Sequence, residues 1–397
     1  MEKITFCIPS KSNLRYLKTC IPSIRKNAFR PDHDIIIFVD SDEDGTIKWL
    51  EEVKDEYNLS YYVNPDLGNS LFGIGKAYDY CIEKSTTDIF MIFHADMMLG
   101  KNADKLAFDH LQLKTVVSAT RIEPPLHPNN GEKIIMDFGM WPEEFKEDEF
   151  NAFVDTYRED THITNGVFAP WMMYKTEFLS IGGHDARMHS CREDSDVFNR
   201  LKLAGFTFVQ PWNSMVYHLT GRGAGSFDGD PERHIAWQKD MIKSTKEFIR
   251  KWGSNVKHTA LMEPVIIPKY NIAFVVDRCP MPALAALEPW CDRIYIASSK
   301  GATLENLRTQ YIMDEANDTS YDLLKRVVNN HYNDADGEND IVVRIDCDTF
   351  DNDDFVYIQQ LSEIIKESGS PNETFELGHL KITINSMEEY QNDLINV

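Results

Sequence analysis

Residues 68–99, GNSLFGIGKAYDYCIEKSTTDIFMIFHADMML, decide the fold. Ile74 to Lys84 reads as a helix, and Ile89 to Phe93 as the continuous apolar strand of a buried sheet. The strand ends in His94-Ala95-Asp96, where the period of two puts His94 and Asp96 on one face and Ala95 on the other. An aspartate after five apolar residues either holds a hard divalent cation on a diphosphate or caps the next turn.

Upstream the same alternation repeats. Ile4 to Pro9 is a short strand running into Ser10-Lys11-Ser12-Asn13, and residues 13–28 carry Leu14, Leu17, Ile21 and Ile24 at helical spacing. Ile35 to Val39 is a β-branched run that ends in Asp40-Ser41-Asp42-Glu43-Asp44-Gly45, followed by a helix from Thr46 to about Tyr57 and a strand at Tyr61 to Val63. Such alternation implies a mostly parallel α/β sheet of Rossmann type, which binds its ligands at the carboxyl ends of the strands.

Downstream, a β run from Val167 to Tyr174 precedes SIGGHDARMHSCREDSDVFNRLKLAGF, residues 180–206. A helix over Glu193 to Leu203, with Gly205 as its stop, places Glu193, Asp194 and Asp196 in its first turn, where carboxylates also suit the helix dipole. Thr207 to Val209 and Met215 to Tyr217 lead to His218 and the glycine-rich run LTGRGAGSFDGD. His218 is either a metal ligand or a structural imidazole. Arg222 and the glycines around it are able to fold donors over phosphates.

Taken in order, IPSKSN, FVDSDEDGT, the stretch quoted first, IGGHD and REDSDVFNRLKLAGF resemble the GT-A fold nucleotide-sugar glycosyltransferases, most closely family 2, over about residues 3–253. FIRKWG at 248–253 is similar to the usual end of such a catalytic domain. The resemblance implies that Asp40 meets the nucleotide base and that Pro9, Ser10 and Lys11 line the nucleoside. Asp42, Lys76, Ala95 and Arg222 are grouped with them as donor-binding residues. Asp96 matches the metal-binding last aspartate of the family's Asp-x-Asp motif, while His94 stands where the first belongs and bonds a hydroxyl or ligates Mn²⁺. Asp194, beside Glu193, matches the general base of inverting members, and His218 a late histidine that completes the coordination of Mn²⁺ or Mg²⁺.

The whole chain has 397 residues and a net charge of −23, which disfavours a nucleic-acid footprint. From Pro264 onward there are 10 basic and 24 acidic residues, a net of −14, so composition shifts near residue 260. A catalytic domain is therefore expected at 1–255, a linker at 256–268 and an acidic, non-catalytic α/β domain at 269–397. In that last part YNIAFVVDR, CDRIYIASSKG and NDIVVRIDCDTF echo the front of the chain as a truncated unit of similar topology. Asp346-Cys347-Asp348 is either a second cation site or only an acidic strand end. In the insertion at 124–162, Trp141 and Phe145 either stack on a substrate or belong to a surface loop over its own small cluster.

The function expected is metal-dependent transfer from a nucleotide-sugar, a UDP-sugar favoured, to the hydroxyl of a glycan or another acceptor, with inversion through Asp194. One alternative is the same chemistry on hydroxymethylated pyrimidines of phage DNA, for which Arg15, Lys18, Arg25, Lys26 and Arg30, or Lys239, Lys243, Lys246, Arg250 and Lys251, would supply a basic face. Another is a degenerate, non-catalytic sugar-nucleotide binder. No apolar run reaches the length of a transmembrane span and no signal segment is evident, so a cytoplasmic protein of bacterial or phage-infected cells is expected. The oligomeric state is not written in the sequence.

Overall fold

Residues 1–221, 231–329 and 338–397 are described by a computed structural model. The chain divides into two compact units. Met1–Met241 with His258–Val265 and Asn396–Val397 form the first, and Ile242–Lys257 with Ile266–Ile395 the second.

In the first unit the expected alternation is present. Strand β1 (Thr5–Lys11) leads through helix α1 (Leu14–Asn27) to β2 (Asp34–Ser41), then through α2 (Thr46–Val53) to β3 (Leu59–Val63), then through α3 (Ile74–Lys84) to β4 (Ile89–Ile92). These four strands are parallel in the order β3-β2-β1-β4. Runs such as Ile35–Val39 and Ile89–Phe93 are buried throughout, as a sheet covered on both faces requires.

Four later strands then form a sheet of their own. Chain order continues through β5 (Met97–Leu99), α4 (Ala103–Phe108), β6 (Thr115–Ser118), β7 (Thr120–Glu123), β8 (Ile134–Ile135), α5 (Glu147–Thr156), β9 (Ile163–Thr164), β10 (Trp171–Tyr174), α6 (Lys175–Ser180), α7 (Glu193–Leu203), β11 (Thr207–Pro211) and β12 (Met215–His218). Strands β10, β6, β11 and β9 extend the main sheet to eight, while β5, β12, β7 and β8 make a separate sheet of four. The run expected to be β over 167–174 is a strand only from Trp171, because Pro170 just before it has no N–H for the ladder.

The insertion builds its own aromatic cluster, in which Phe145 stacks on Tyr217 and meets Phe150. Trp141 carries the Arg15 guanidinium over its ring at 4.5 Å. Neither ring lines the cavity described below.

In the second unit, Ile272–Asp277, Arg293–Ile296, Val327–Asn329 and Ile341–Asp346 are parallel, and the hairpin Glu373–Leu377 and Leu380–Ile384 completes a six-stranded sheet. Its first parallel strand lies between the second and the last, as β1 lies between β2 and β4, and an antiparallel strand follows the last in both sheets. This is the smaller unit of similar topology expected from the sequence. Helix α8 (Pro231–Trp252) contributes to it from Ile242 onward, past which the first domain was expected to run to residue 255. The reason is a buried ion cluster: Arg250 is fully enclosed and bonds Glu247 and Glu288.

At the carboxyl end of this second sheet, Asp346 and Asp348 are both engaged by Arg278, and Asp348 also by Lys300 at 2.6 Å. Asp351, Asp354 and His379 also lie together, but the two aspartates cap the helix Asn352–Ser368. Among the described residues, no helix is long and apolar enough to cross a membrane.

Candidate active site

A cavity of about 410 Å³ opens at the carboxyl ends of β1, β2 and β4 in the first unit. Pro9, Ser10 and Lys11 reach it from β1, where the ladder shifts register between Ser10 and Lys11. Asp40 reaches it from the end of β2. Its Oδ1 accepts from Asn64 Nδ2 at 2.8 Å and Phe72 N at 2.6 Å, and its Oδ2 from Gly73 N at 3.1 Å. The carboxylate thus ties down the turn before α3 and also lines the cavity.

His94, Ala95 and Asp96 line the cavity beyond β4, and His218 enters at the end of β12. In the four-stranded sheet His218 pairs with Met97, the neighbour of Asp96. The ligand atoms of His94, Asp96 and His218 consequently lie within 4.8 Å of one another. His218 Nε2 is 3.5 Å from Asp96 Oδ1, and its Nδ1 donates to Glu123 Oε1 at 2.9 Å. Burial opposes charge on His218, yet Asp96 and Glu123 on its two sides prevail and raise its pKa to about 9. The opposite holds for His94, where burial and the neighbouring His218 charge lower the pKa to about 4, leaving a neutral imidazole. Two imidazoles and one carboxylate, brought together with a carboxylate behind one ring, are a donor set that fits a borderline divalent cation.

Glu193 and Asp194 line the same cavity from the first turn of α7. Asp194 Oδ1 accepts from Ser195 N at 2.6 Å. Burial, reinforced by the Asp194 charge, pushes the Glu193 carboxyl up to about 8. The start of α7 is braced from IGGHD. Buried Arg200 bonds Asp196 at 2.7 Å and donates to the carbonyls of Ile181 and Gly183, while the His184 backbone N–H and ring bond Asp79 of α3. Gly75 permits this approach, since a Cβ there would lie 2.9 Å from the Cβ of His184.

Among the described residues, three buried polar atoms of the cavity lining have no hydrogen-bond partner: Ser10 Oγ, Tyr78 Oη and Glu193 Oε2. Desolvated groups of this kind are what a polar ligand satisfies. Tyr78, Trp237 and Asp240 line the cavity without having been read from the sequence, and Glu123 stands behind it. Trp237 and Asp240 belong to α8, whose amphipathic pattern carries no mark of a site.

Two expected donor-binding residues lie elsewhere. Asp42 accepts from Ile47 N at 3.0 Å and so caps α2, and Lys76 is exposed on α3 outside the cavity lining. The strand-end pattern has no means of separating Asp40 from Asp42, which differ in whether the chain has already turned into α2. Arg222 lies outside the described residues.

Residues 5–179 match the family model for glycosyl transferase family 2. No curated protein matches the sequence. Among solved structures, the chain is similar to S. aureus TarS, at TM-score 0.42 and 10% identity over 62% of this chain and 44% of that one. It is also similar to GalNAc-T7, solved with UDP, GalNAc and Mn²⁺, at TM-score 0.42 and 10% identity over 62% of this chain and 50% of that one. The similarity thus spans about half the length of each of those chains.

Proposed function

Residues 5–179 form a glycosyl transferase family 2 domain, and from this premise we propose that the protein moves a sugar from a nucleotide-sugar donor to an acceptor hydroxyl, with inversion. The observation that carries the reading is one cavity holding both the His94, Asp96 and His218 cluster and the Glu193 and Asp194 pair.

Pro9, Ser10, Lys11 and Asp40 hold the nucleoside. Asp40 has a lone-pair position left for a base N–H after its three bonds to the turn. His94, Asp96 and His218 hold the divalent cation, with Mn²⁺ preferred to Mg²⁺ because two of the three ligands are imidazoles. That cation, when bound, neutralises charge on the diphosphate leaving group. Asp194 takes the proton of the acceptor hydroxyl, which is a poor nucleophile without a positioned base. Trp237 and Asp240 offer an aromatic face and a carboxylate to a saccharide acceptor.

Several cations that would have formed a face for DNA are already engaged. Arg15 pairs with Glu143 and Lys26 with Glu147, while Arg25 donates to backbone carbonyls. In the second cluster, Lys246 pairs with Glu315 and Arg250 with Glu288. A glycan or other small hydroxyl-bearing acceptor is therefore favoured over modified DNA.

A thermal-shift series with UDP, GDP, CDP and their sugars, with and without Mn²⁺, tests the reading. One nucleotide, UDP being the first to try, is expected to stabilise the protein only with metal. Asp194→Asn is expected to keep that stabilisation and lose transfer about 10²- to 10⁴-fold. No stabilisation by any of them would overturn the proposal, and undiminished transfer by the variant would overturn the base assignment.

A further inference from the structure

Behind His218 lies a buried charge array that the proposed chemistry does not use directly. In the parallel pair of β7 and β12, Tyr217 faces Ile122, so the next residues, His218 and Glu123, come side by side. Glu123 is 1% exposed. Its Oε1 accepts from His218 Nδ1 at 2.9 Å and from Arg121 Nη1 at 2.8 Å, and its Oε2 from Lys133 Nζ at 2.8 Å. With Arg121 and Lys133 both donating to it, the Glu123 carboxylate is placed to accept from the ring as well. His218 must therefore donate from Nδ1, which leaves Nε2 as the atom directed at Asp96, 3.5 Å away. The same array braces the other imidazole. Arg121 lies 4.0 Å over the ring of Phe168, and Phe168 meets His94 edge-on with ring centres 6.4 Å apart. Arg121 and Glu123, two apart on β7, share one face of the strand.

Burying three such charges is expensive, and an apolar set of similar volume would stabilise the sheet as well or better. The array makes sense if the orientation of the two rings matters. We propose that Glu123 is a positioning residue of the cation site: it fixes the tautomer and ring orientation of His218, so that Nε2 joins Asp96 and His94 around a divalent cation. This inference rests on the cation site of the proposed function.

The test is Mn²⁺ binding, followed by electron paramagnetic resonance on the full chain, with Mn²⁺ alone and with added UDP. Glu123→Gln is expected to weaken binding about 10- to 100-fold, as the loss of an outer-shell carboxylate does. In a His218→Ala background the same substitution should weaken it no further, because Glu123 acts through His218. If Glu123→Gln fails to fold, as circular dichroism would show, Glu123→Asp takes its place with the same expectation. The wild-type protein gives an independent reading by ¹⁵N-histidine NMR with Zn²⁺: His218 should show a protonated Nδ1 and a ligated Nε2. Ligation through Nδ1, unchanged Mn²⁺ affinity in the variant, or an equal loss in the His218→Ala background would each overturn the role of Glu123. Absence of Mn²⁺ binding by the wild-type protein, with or without UDP, would instead overturn the cation site beneath it.

Discussion

Glu193 carries the clearest pH signature of any single residue in the cavity. Its carboxyl moves from an ordinary value near 4.5 to about 8 through burial and the neighbouring Asp194 charge, so the folded protein holds a proton that the unfolded chain releases. The stabilisation from that proton is complete below the unfolded pKa and is lost as pH rises toward the folded one. Urea midpoints should therefore fall between pH 5 and 8, and Glu193→Gln, which stays neutral, should flatten that slope. Parallel slopes for the two proteins would contradict the assignment. At this scale the sequence reaches the residues that end apolar strands or open a helix, such as Asp40, Asp96, Glu193 and Asp194. Glu123 escapes it, because an acidic residue after Ile122 looks like any strand edge until His218 is paired beside it.

Among the elements, α7 shows how a helix is held at the angle its first turn needs. Asp196 and Arg200 are fully enclosed at helical spacing, and Arg200 spans from the helix to the carbonyls of the IGGHD loop. Removing one partner leaves an uncompensated buried charge, so Arg200→Met is expected to cost about 3–5 kcal/mol in urea unfolding. A loss below about 1 kcal/mol would place the pair among exposed ones. The bounds of α3 and α7 were legible because caps and apolar spacing are local. The departure of β5, β7 and β12 into a separate sheet was not, since short apolar strands carry no label for their partners.

At the scale of the whole molecule, the second unit repeats the strand order of the first but not its open strand-end chemistry. Arg278 and Lys300 already engage Asp346 and Asp348. Joint substitution, Asp346→Ala with Asp348→Ala, is expected to leave the transfer rate unchanged and, for half-exposed pairs, to cost about 1 kcal/mol of stability. A collapse of transfer with the fold intact would assign that unit a catalytic part.

By itself the sequence determined the alternating α/β plan, the acidic balance of the last third and the types of residue waiting at the strand ends, because these follow from local periodicity and composition. Only the tertiary structure decided which of those residues meet. Asp40 faces the cavity while Asp42 caps a helix, and His94, Asp96 and His218 converge with Glu123 behind them. Convergence depends on strand register across long sequence separations, and register is set by burial of whole faces rather than by any one motif.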